Sequence, residues 1–113
     1  MNNPSDLPDR KKLTVIYRVE HGCLGPQGKD HVDKFCDFAQ KSFTGPWSAF
    51  IEWRFIPRNG ISQPEIQYEI NSRLLSNDKA EKYLEMFETS VEHLENHLHE
   101  KIVALIEQYM GRE

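Results

Sequence analysis

Only two of the 113 residues are cysteine, Cys23 and Cys36. That is too few for a disulfide framework, and reduced thiols in a cytoplasmic setting are the economical expectation. No stretch approaches the ~20 consecutive apolar residues that span a bilayer, so no membrane partner is expected. The opening MNNPSDLPDRKK has no apolar segment of the signal-peptide kind, and residues 1–12 read as a disordered tail. Basic excess is also missing. A net charge of −4 argues against non-specific nucleic-acid binding, which needs cations to displace counterions. No glycine-rich fingerprint, Walker loop or nucleophile elbow is present, and no cofactor is expected.

What is present suits one domain over residues 13–113. Apolar residues make up 38% of the chain and charged residues 28%, a globular though polar balance. Leu13, Val15, Tyr17 and Val19 alternate with Thr14, Ile16, Arg18 and Glu20, the spacing of a strand. The segment HGCLGPQGK breaks it into a loop. Asp30 then caps a helix whose stripe is Val32, Phe35, Cys36, Ala39 and Phe43, ended by Thr44-Gly45-Pro46. A second strand over 47–57 puts Ala49, Ile51, Trp53 and Phe55 on one side and Phe50, Glu52, Arg54 and Ile56 on the other. Pro57-Arg58-Asn59-Gly60 is a turn in which Asn-Gly supplies positive φ. Ile66, Tyr68, Ile70 and Leu74 mark a third strand.

The remainder reads as one long helix over 78–110, with Asp78 and Glu81 as a capping box and Gly111 as its C-cap. The fold class is therefore α+β, a two-layer sandwich in the order β-α-β-β-α. Its sheet is three-stranded and mainly antiparallel. Strands two and three pair as a hairpin, strand one reaches strand two by a right-handed helical crossover, and strand one is placed beside strand three. This order resembles part of the ferredoxin-like folds, a likeness of architecture that carries no function.

The last helix holds eight acids against three lysines, a net of −5 that leaves about +1 for the rest of the chain. Leu84, Phe87, Val91, Leu94, Leu98, Ile102, Leu105 and Tyr109 form its core stripe. A second row runs Glu81, Glu85, Glu88, Glu92, Glu95 and His99, then turns apolar at Val103, Ile106 and Met110. Those three either tuck under the first helix or a loop, or meet a second chain; the second chain is the expectation. On the far face of the sheet Ile16, Phe50 and Ile56, interleaved with Arg18, Glu52 and Arg54, form a second candidate contact patch.

Three constellations carry chemistry. His93, His97 and Glu100, at spacings of four and three, share one helical face and are suitable metal ligands. The loop over residues 22–29 joins a strand to a helix start, where free N–H groups favour an anion; His21, Cys23, Gly25, Gly28, Lys29 and Trp47 are its candidate ligand-binding residues. Cys23 lies where a helix start stabilises a thiolate. Loop glycines more often simply form turns, surface histidine pairs are more often solvated, and Asp30 and Asp33 oppose an anion. Trp47 and Trp53 have only Arg54 and Arg58 as neighbouring cations, too few for a nucleic-acid platform.

No catalytic set converges. The reading is a small interaction or regulatory module acting as a homodimer and binding protein through the acidic helix or the outer sheet face. The alternative is an enzyme or small-ligand binder with its site beside the loop over 22–29.

Overall fold

A computed structural model describes residues 8–43, 47, 49–60 and 62–111. The tail expected over residues 1–12 lies largely outside these, as does the Thr44-Gly45-Pro46 stop. Asp9–Lys11 form a short 3-10 turn.

The chain is α+β, with a four-stranded mixed sheet in place of the expected three-stranded one. β1 (Leu13–Val19), α1 (Gly28–Ser42), β2 (Ile51–Pro57), β3 (Ile66–Ile70), β4 (Arg73–Leu75), α2 (Asn77–Glu85) and α3 (Val91–Tyr109) follow in order. The strand order is β2-β1-β3-β4. β1 is parallel to β2, with Val15 opposite Trp53, and antiparallel to β3, with Val15 opposite Tyr68. The helical crossover and the placement of strand one beside strand three therefore hold.

The expected hairpin of strands two and three does not form. β1 lies between them, and the connection steps over its end: the Arg58 N–H donates to Val19 O and the Arg18 N–H to Glu65 O. The cause is the burial of β1. Leu13, Val15, Tyr17 and Val19 on one face and Thr14 and Ile16 on the other are all buried, as suits a central strand. Asn59 and Gly60 are not in the positive-φ region; the loop is held instead by Arg58 Nε and the Asn59 N–H, which donate to the backbone and side-chain oxygens of Gln63.

The third strand is itself a hairpin. Asn71 and Ser72 both take positive φ, 51° and 66°, between the paired residues Ile70 and Arg73, the two-residue connection that right-handed strand twist favours. The reversal moves Leu74 from the core face to the outer face, where it is exposed.

The long C-terminal helix is two helices. Thr89 N–H donates to Leu84 O and Glu88 N–H to Glu85 O, both at 3.1 Å. With Glu88 at φ 62°, this is a Schellman ending with glutamate in the position glycine usually takes. Ser90 then caps α3 by accepting from the His93 N–H at 3.1 Å. Ser76 caps α2 by accepting from Lys79 N–H, so Asp78 and Glu81 make no capping box. Glu81 Oε1 instead accepts from the Val91 N–H. The acidic row over 81–99 is therefore split between two helix axes.

Phe35, Cys36 and Ala39 of α1, Ala80 and Leu84 of α2, and Leu94, Leu98, Ile102 and Leu105 of α3 share one core with the inward residues of β1, β2 and β3. Tyr68, 1% exposed, donates to Glu95 Oε2 at 2.6 Å, tying β3 to α3. Tyr83 Oη reaches the carbonyls of Lys11 and Phe50, each at 2.9 Å, tying α2 to the sheet. The outer edge of β2 is closed from α1. Gln40 Nε2 donates to Trp53 O at 2.7 Å, and Phe55 N–H donates to Gln40 Oε1 at 3.0 Å.

Candidate functional site

The parallel pairing of β1 and β2 decides where the predicted ligand residues lie. The loop over 20–27 follows the end of β1, whereas Trp47 precedes the start of β2, to which it is tied by the Ile51 N–H to Trp47 O bond of 2.8 Å. Leu13 pairs with Ile51, so the two regions sit at opposite ends of strands roughly 20 Å long. Trp47 is therefore not part of a site with His21, Cys23, Gly25, Gly28 and Lys29, which remain together at the other end.

There His21–Leu24 form a 3-10 turn closed by Gly25 at φ 91°. Gly28 opens α1 directly against that turn, and a Cβ on it would overlap the His21 carbonyl. The glycine is required by this close approach of backbones, which explains its presence without a ligand. Cys23 is exposed, yet partial burial and then the carboxylates of Glu20 and Glu65 hold its thiol above the ordinary value. This opposes the expected thiolate stabilisation. Lys29 is exposed. His21 lines an open cleft of about 330 Å³ with Glu20, Arg58, Asn59 and Gly60. The Arg58 guanidinium there already has a carboxylate beside it, Nη1 lying 3.5 Å from Glu20 Oε2, and the same carboxylate lies 3.9 Å from His21 Nε2.

His93 and His97 share a face of α3 as their spacing predicts, but that face meets Trp47. The Trp47 ring centroid lies 5.5 Å from His93 and 5.2 Å from His97, both edge-on. Phe43 lies 6.1 Å from His97 at 86°. Among the described residues, no group of three His, Cys, Asp or Glu side chains could hold a metal ion, so the His93, His97 and Glu100 set does not assemble. His97 Nε2 is buried without a hydrogen-bond partner, as is Trp53 Nε1. Burial first, then Lys101, press the His97 pKa below its ordinary value, partly opposed by Glu100, with a smaller lowering from His93. Trp47 and His93 border an open cleft of about 420 Å³ with Glu88, Thr89 and Ser90.

A further cluster joins three elements. His99 Nε2 lies 3.4 Å from Glu65 Oε1, and its ring is 6.4 Å from that of Tyr17. Burial and then Glu65 push the Tyr17 phenol far above its usual value. No sequence spacing announces this cluster, because its members come from β1, the loop before β3, and α3.

The predicted contact residues separate into two groups. Ile16, only 3% exposed, and Phe50 are buried, and Ile56 is half-buried. Ile16 is opposite Arg54 and Gln67 across the sheet, whose long side chains flank it on the outer face. Phe50 precedes β2 and stacks on Phe87 at 4.1 Å, so it leaves the outer face altogether. On α3, Val103 is 57% and Met110 37% exposed, while Ile106 packs partly against the core. Tyr109 beside them does tuck under the first helix, with rings 5.5 Å from Phe35 and 5.6 Å from Phe38.

Among the described residues no helix is long and apolar enough to cross a membrane. Comparisons with protein-family models, with curated proteins and with solved structures find no match.

Proposed function

We propose that this chain is an interaction or regulatory module that works as a homodimer, with the C-terminal half of α3 as its contact. The observation that carries this reading is Val103, a large apolar side chain 57% exposed on a helix well tied to the core, with Met110 two turns further on, 37% exposed. Residues seven apart on a helix share a face, and Ile106 lies between them. The exposed neighbours Glu100, Lys101 and Glu107 supply the polar rim that surrounds an apolar contact.

Other routes to association have less support. The free edge of β2 is closed by Gln40, and β4 at the opposite edge has only three residues; both features discourage strand addition. The outer sheet face loses Ile16 and Phe50 to burial. An enzyme or ligand site beside the loop over 22–29 is weakened by the raised Cys23 thiol and by the distance of Trp47 from that loop. The acids before that end, with Glu85, Glu88 and Glu92 exposed, would face a basic protein partner once the dimer forms.

A contact centred on three apolar side chains is expected to give a weak, concentration-dependent dimer. Light scattering across the micromolar range should show the apparent mass rising from monomer toward dimer. A constant monomer mass throughout that range removes this reading.

A further inference from the structure

The face of α3 that carries His93 and His97 is separate from the proposed contact and has a property of its own. His97 is wedged between Phe43, at 6.1 Å, and Trp47, at 5.2 Å. Its Nε2 atom is buried and has no hydrogen-bond partner. A neutral imidazole tolerates this position, because one ring nitrogen then carries no proton and leaves only a lone pair unanswered. An imidazolium must place an N–H on both nitrogens. Here one of them would carry its proton and charge at a buried nitrogen with no hydrogen-bond partner among the described residues, a costly kind of unsatisfied group.

The surroundings offer little to offset that cost. From α3 itself Lys101 opposes a proton on His97, Glu100 favours it less strongly than Lys101 opposes it, and His93 adds a smaller opposition. Among the described residues of the segment between α1 and β2, Phe43 and Trp47 pack on His97, and none of residues 43–50 has a titratable side chain. From the break between α2 and α3, Glu88 lines the cleft that Trp47 and His93 share, and it is not among the groups acting on His97.

We propose that His97 is an acid-sensitive latch: in its neutral form it holds Trp47 against α3, and on protonation its ring swings to water and releases Trp47. The core stripe of α3, Leu94, Leu98, Ile102 and Leu105, has no part in the titration, so the helices persist while the Trp47 contact opens. The open cleft bordered by Trp47 and His93 would change shape with pH.

The sign follows from linkage. An imidazole whose folded-state pKa is depressed binds a proton less readily than in the unfolded chain. The latch is therefore closed at neutral pH and loosens as pH falls below about 6.5, the ordinary imidazole value. The test is a pH titration of the full chain, following tryptophan emission beside far-ultraviolet circular dichroism, with the His97 ring C–H followed by nuclear magnetic resonance. The expected result is a change in emission below about pH 6.5 at constant helicity, tracking the His97 resonance. That change is absent in His97→Gln and in Trp47→Phe but kept in His93→Gln. Flat emission in the native chain down to a pH where its His97 resonance has titrated, or the same transition in His97→Gln, would overturn the latch. The resonance measurement needs no variant, so it decides the matter even if His97→Gln folds poorly.

Discussion

Single side chains hold the layers of this protein together, and each makes a measurable contribution. The Tyr68 hydroxyl donates to the Glu95 carboxylate at 2.6 Å, a charge-assisted bond of the stronger kind. Tyr68→Phe should cost about 1.5 kcal/mol, read as a lower urea midpoint with an unchanged slope. Glu88 works in the other direction. It occupies φ 62°, which strains any residue with a Cβ, and Glu88→Gly should raise stability by roughly 0.5–1 kcal/mol. Gly28→Ala should lower stability by about 1–3 kcal/mol, because the added methyl meets the His21 carbonyl. Burial raises the phenols of Tyr17, Tyr68 and Tyr83. The unfolded chain therefore loses these protons first, and stability conferred by the neutral phenols falls as pH rises above about 10. Absorbance at alkaline pH should show these tyrosines silent until the protein unfolds; free titration of all of them before unfolding contradicts the burial described here.

Elements were legible where their signals were local and periodic. Alternation from Leu13 to Glu20 located β1, and the stripe Phe35, Cys36, Ala39 and Phe43 located the buried side of α1. The break between α2 and α3 was not legible, because its C-terminal signal is usually glycine and here is Glu88. Core spacing continues across the break from Leu84 to Leu94 and Leu98, all buried, and it imitates a continuous helix. Thr89 and Ser90 were the available clue, since such residues favour helix starts over helix interiors. The turn at Asn71 and Ser72 was hidden in the same way: without glycine, its two positive φ values had no strong marker. Gln40 shows how an element protects a neighbour, its amide occupying Trp53 O and Phe55 N–H at the open edge of β2. Gln40→Leu should leave both groups unanswered and raise the aggregation rate on heating, measured by turbidity; an unchanged rate means the edge is protected by other means.

At the scale of the whole molecule, topology decides which predicted sites can exist. Placing β1 between β2 and β3 puts Trp47 and the loop over 22–29 at opposite ends of the sheet. It also unites Tyr17, Glu65 and His99, which no spacing connects. The centrality of β1 was written in its nearly continuous apolar run, but the eight residues between Pro57 and Ile66 allowed either a hairpin or a step across a strand, and no local rule distinguishes these. The C-terminal end of α3 fared differently. The sequence change from acids to Val103, Ile106 and Met110 pointed to a place, and two of those three side chains are exposed there. The proposed dimer depends on that surface. Sedimentation equilibrium of the native chain and of Val103→Glu, across the micromolar range, tests it most directly. A monomer–dimer equilibrium is expected for the native chain and at least a tenfold weaker one, about 1.4 kcal/mol, for Val103→Glu, with thermal unfolding of the dilute monomer unchanged. A native chain that stays monomeric, or a variant that dimerises as tightly as the native chain, would contradict it.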